Sequence, residues 1–82
     1  MQSVWKFVVD EGPVLIPKNA KILAIHEQYP SICIWALVDP FAEKELRDFV
    51  VIPTGSHFAQ SGPYIGTVFT RGGALVYHVF EK

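Results

Sequence analysis

Ser31-Ile32-Cys33-Ile34-Trp35-Ala36-Leu37-Val38-Asp39 reads as a strand that is apolar on both sides. Seven apolar residues follow one another between its polar ends. A strand with one wet face alternates apolar and polar residues, because neighbouring side chains point to opposite faces. This run does not alternate, so both of its faces need cover. In so short a chain the cover is a closed sheet, a docked helix or a second copy of the protein.

Working outward, short β-rich runs are punctuated by turn residues at the spacing of a small sandwich or barrel. Upstream, Tyr29-Pro30-Ser31 is a hairpin turn, and Lys21 to Gln28 places Ile22, Ala24 and His26 on one face. Before it come Val14-Leu15-Ile16, stopped by Pro17, and Val4 to Val9, closed by Asp10-Glu11-Gly12-Pro13. Downstream, residues 41–46 carry helix-favouring side chains but are too few for a stable helix, so a loop with one helical turn is expected. Arg47 to Ile52 is a fifth strand, followed by the long polar loop Pro53 to Pro63. Tyr64 to Thr70 and Ala74 to Glu81 form a hairpin whose tip, Arg71-Gly72-Gly73, supplies the positive φ angles a tight turn needs. The expectation is one all-β domain over residues 1–82, an antiparallel sandwich or barrel of about six or seven strands.

Composition bears on assembly. The chain has 82 residues, of which 50% are hydrophobic and only 18% charged, against about 25% charged in ordinary domains. That is more apolar surface than a lone small domain hides, which argues for a homo-oligomer. The net charge is −1 with no basic run, so extended DNA or RNA is not an expected partner. A single cysteine, Cys33, sits mid-strand and reads as a buried thiol in a reducing compartment. No signal-type N-terminus and no run of about 20 apolar residues is visible, so a cytoplasmic protein without a membrane span is expected.

Catalytic signatures are missing. Gly55-Ser56-His57 lacks the second glycine of a nucleophile elbow, and adjacent side chains diverge. No phosphate loop or dinucleotide fingerprint occurs. His26 and His78 lie mid-strand, where a histidine ordinarily makes a structural hydrogen bond, and no spacing supplies three converging metal ligands. A non-enzyme without metal or cofactor is the expectation. What remains is a binding inventory around the loop: hydroxyls on Thr54, Ser56 and Ser61, the His57 ring, Arg47 leading in, Arg71 at the last hairpin and Tyr64 as a flat surface. Freed amides, arginines and a stacking aromatic suit a compact phosphorylated or nucleotide ligand.

Five stretches carry a family likeness: Val4-Trp5-Lys6-Phe7, Ile16 to Leu23, Trp35-Ala36-Leu37-Val38-Asp39-Pro40, Tyr64-Ile65-Gly66-Thr67, and Leu75 to Glu81. Their order and spacing resemble an uncharacterised family of small proteins encoded by tailed phages and bacterial prophages. The resemblance implies a phage or prophage origin and a small β fold, and transfers no catalytic motif. In that setting, oligomeric β-rich sponges that sequester nucleotide immune messengers are a known type, an analogy of size and context. The leading expectation is therefore counter-defence by stoichiometric capture of a small phosphorylated ligand at subunit interfaces, in the host cytoplasm. Arg47, Thr54, Ser56, His57, Tyr64 and Arg71 are the expected contacts. The alternative is an inhibitor or accessory that engages a host or virion protein through a strand edge or apolar patch.

Overall fold

The computed structural model describes residues 1–59 and 62–82. Eight strands run in the order β1 (Ser3–Val8), β2 (Val14–Pro17), β3 (Lys21–Gln28), β4 (Ser31–Val38), β5 (Lys44–Arg47), β6 (Phe49–Pro53), β7 (Tyr64–Thr70) and β8 (Leu75–Glu81). They form three antiparallel sheets, β1-β4-β3, β2-β5 and β6-β8-β7. Strand β4 is the middle of its sheet, as its unbroken apolar run requires. Ile32, Ile34, Ala36 and Val38 are buried on one face, and Cys33 on the other.

The two faces of β4 are covered differently. Antiparallel partners directly opposite share a face, so Phe7, Ile34 and Ile25 point inward together. There they join Val9, Ile16, Phe49, Val68 and Val79 in one core shared by all three sheets. On the outer face Lys6, Trp35 and Ala24 lie in register. The Trp35 ring meets His26 edge-on at 6.4 Å, and Lys6 Nζ donates to Gln28 Oε1 at 2.6 Å. Cover here comes from neighbouring side chains, and Val4 and Leu23 stay half exposed. The β3 and β7 edges approach so closely that a Cβ on Gly66 would stand 2.5 Å from Ile25 Cγ2.

The strand count exceeds the expected six or seven because residues 41–52 divide differently. No helical turn forms over 41–46; Lys44–Arg47 pairs with Val14–Pro17 instead. Helix preference amounts to a few tenths of a kcal/mol per residue, and a ladder against β2, which buries Ile16 completely, outweighs it. Asp48 then interrupts the run, its carbonyl accepting from Lys82 N at 2.9 Å. At the last hairpin Arg71–Gly73 closes as a single 3-10 turn, with positive φ at Arg71, Gly72 and Gly73.

The molecule is flat and open for its size. Its principal extents are 40 × 27 × 17 Å and its radius of gyration is 13.0 Å, against about 12 Å for a compact domain of this length. Its accessible surface is 5323 Å², against about 4,900 Å² for a monomer of this mass.

Candidate functional site

The six residues singled out in the sequence do not converge on one pocket. Arg47, at the end of β5, is turned against Glu81 on β8. Its Nε and Nη2 donate to the two carboxylate oxygens at 2.7 and 2.6 Å, and Nη1 donates to the Ala20 carbonyl at 3.1 Å. Both side chains are less than one-fifth exposed. The hydrogen bonding of its N–H groups to Glu81 is the main reason the Arg47 pKa is raised above its ordinary value. This guanidinium ties β5 to β8, with three of its five N–H donors engaged.

Arg71 stands at the other end of the molecule. It lines a cleft of about 370 Å³ between the β3–β4 turn and the β7–β8 tip, together with Asp10, Glu27, Tyr29, Thr70 and Tyr77. The volume falls at the lower end of the range for small-ligand sites. Among the described residues, Arg71 makes no ion pair. Thr70 is buried and donates to the Leu75 carbonyl at 3.3 Å. The cleft thus presents one unpaired guanidinium, two carboxylates and two phenol rings.

Thr54 and Tyr64 belong to a second cluster, on the outer face of the β6-β8-β7 sheet. The β7–β8 register sets Thr67 opposite His78. Tyr64 OH lies 2.6 Å from Thr67 Oγ1, which lies 3.0 Å from His78 Nδ1. His78 Nε2 lies 2.7 Å from Thr54 Oγ1, which donates to the Val76 carbonyl at 3.3 Å. Beside this chain the Phe80 ring sits 5.2 Å from Phe58 and 5.5 Å from Tyr64. Four polar side chains and three aromatic rings therefore share one exposed sheet face.

Ser56 and His57 are exposed on the loop that starts at Thr54. Ser56 N closes a turn onto the Pro53 carbonyl at 3.1 Å, and Ser61 lies outside the described residues. Read from sequence, His78 is a structural mid-strand histidine, and nothing singles out Thr67. Counting pairs outward from the Arg71–Gly73 tip, Thr70 with Leu75 and Val68 with Tyr77, would have placed them face to face. The carboxylates of the cleft carry no comparable signal, since Asp10 and Glu27 come to line it with Arg71 only through packing of separate sheets.

Among the described residues, no helix is long and apolar enough to cross a membrane. No curated protein and no solved structure matches the chain. The family described as Domain of unknown function (DUF7352) matches residues 1–82, and the chain belongs to that family.

Proposed function

We propose that this protein is a non-enzymatic capture module for a small phosphorylated ligand of the nucleotide class, held in the Arg71 cleft. The observation that carries the reading is the unpaired Arg71 lining one cleft together with Asp10, Glu27, Tyr29 and Tyr77. A guanidinium grips phosphate oxygens two at a time. Carboxylates accept from ribose hydroxyls, and phenol rings offer flat surface to a base. The chemistry required is positioning and charge, and no bond needs to break.

Self-association belongs to the same reading. Among the described residues eleven large hydrophobic side chains are exposed, from Val4 and Leu15 to Phe69 and Leu75. That is enough uncovered apolar surface to favour a homo-oligomer. A phage origin and a role against host nucleotide signalling rest on the family likeness and the small size, as analogy.

Thermal shift and calorimetry with ADP-ribose and cyclic dinucleotides test the reading, since a ligand that binds only the folded state raises its melting temperature. A rise that Arg71→Asn removes is expected; no shift and no heat across the panel would discard capture. The second reading, engagement of a host or virion protein, is favoured by the same exposed apolar side chains. A stoichiometric protein partner recovered without nucleotide would favour it.

A further inference from the structure

The hydroxyl–imidazole chain on the outer face can run in either direction, because each His78 ring nitrogen can donate or accept. One direction follows when the single Thr54 hydroxyl proton goes to the Val76 carbonyl, 3.3 Å away. Thr54 Oγ1 therefore accepts from His78, which places the ring proton on Nε2. Nδ1 is then an acceptor, so Thr67 donates to it, and Thr67 Oγ1 in turn accepts from Tyr64. Every proton in the chain points inward. The Tyr64 oxygen, on a side chain 58% exposed, offers only lone pairs to an approaching group.

Protonation of His78 reverses this. Both ring nitrogens become donors, so Thr67 Oγ1 accepts from Nδ1 and its own proton swings to the Tyr64 oxygen. The Tyr64 hydroxyl is released to donate outward, and the face gains a positive charge. Little else on the packed elements competes for that charge. β7 carries no Asp, Glu, Lys, Arg or His. On β8 Glu81 is held by Arg47, and Asp48, just before β6, pairs with Lys82. Tyr77 is set against Pro53 and Val68 in the ladders, next in sequence to His78 and so on the opposite face, and packs on the core. His57 stands on the exposed loop nearby in sequence, and Arg71 at the hairpin tip.

We propose that this face is a second binding site, separate from the Arg71 cleft, for a planar ring bearing an anionic group, and that His78 switches it on. The ring packs against Phe58 and Phe80, and the anion accepts from the Tyr64 hydroxyl. Neither element depends on the proposed capture of nucleotides.

Benzenesulfonate is the probe, because its charge does not change across the range in which histidines titrate. Binding is followed by amide and ring NMR shifts at about pH 8 and about pH 5.5. Shifts at Phe58, Tyr64 and His78 are expected, with affinity rising about tenfold or more on acidification. Thr67→Val keeps the shape but cuts the chain, so most of that rise should vanish; Thr67→Ser keeps a hydroxyl and should retain it. Nitrogen-15 spectra should show neutral His78 protonated on Nε2. The proposal is overturned if neutral His78 carries its proton on Nδ1, if Thr67→Val and wild type gain affinity equally, or if the shifts fall only around Arg71.

Discussion

The two arginines of this chain sit at opposite ends of one fold and have opposite fates. Arg47 meets a carboxylate and a carbonyl in a half-dry setting, and three of its donors are held there, two of them joining β5 to β8. Arg71 sits on an exposed turn, lines one cleft with two carboxylates and pairs with neither. The same side chain is framework where the chain closes and ligand chemistry where it stays open. What separates them is the company that packing brings: Arg47 leads through Asp48 into β6, Arg71 into Gly72-Gly73.

Arg47→Ala is the substitution expected to cost most. It strands the Glu81 carboxylate, with its residual exposure of 19%, and removes three hydrogen bonds. The expected loss is about 2–3 kcal/mol, below the range for fully buried pairs. In a domain this small each kcal/mol lowers the melting temperature by roughly 4–8 °C. Arg47→Met with Glu81→Leu should recover most of it, because no charge is left behind. An Arg47→Ala variant that melts like wild type would erase the contrast between the two ends.

Gly62 tests the closed end by shape instead of charge. Its amide donates to the Glu81 carbonyl at 2.7 Å, and an added Cβ would lie 2.6 Å from that same oxygen. Backbone cannot step aside as a flexible side chain does, so Gly62→Ala should destabilise by about 1–3 kcal/mol. Chemical denaturation reads this directly. A neutral result would mean that this end is looser than the Arg47 bonds imply.

Cys33 probes the sheet that forms the other wall of the open end. The thiol is 1% exposed, and its pKa is raised chiefly by burial, with Asp10 and Glu11 adding to the effect and Lys6 opposing it. A raised folded value means the unfolded chain ionises first. The contribution to stability is therefore complete below the unfolded value of 9.0 and lost as pH rises through the folded one. Wild type should lose melting temperature faster than Cys33→Ala above that pH, and the native thiol should resist alkylation. Rapid alkylation of folded protein would show that water reaches this face of β4.

Much of the fold was legible because β4 states its own burial. Seven successive apolar residues require a central strand, and the glycines after Arg71 require a turn. The failure over residues 41–46 has a physical source: Lys44-Glu45-Leu46 satisfies helix preference locally, while the pairing of Lys44–Arg47 with Val14–Pro17 is set by a partner some thirty positions away. The site was legible only in parts for the same reason. Thr54 and Tyr64 were found as side chains, but what connects them is His78, reached across two ladders. Arg47 looked available because Glu81, thirty-four residues on, gives no local sign of claiming it.

Arg71 should show the smallest effect on stability and the clearest effect on binding. Its φ of 50° lies in the left-handed region, which an arginine adopts at a cost and an asparagine tolerates better. Arg71→Asn therefore removes the guanidinium from the cleft while easing the turn, and stability should stay within about 0.5 kcal/mol of wild type or rise slightly. If the cleft captures phosphorylated ligands, affinity should fall by about tenfold or more, the value of a charged hydrogen bond. Measured side by side, Arg47→Ala should lower the melting temperature and Arg71→Asn only the ligand-induced rise. Were Arg71→Asn instead to unfold the protein, Arg71 would be framework like Arg47, and the cleft would lose its only cation among the described residues.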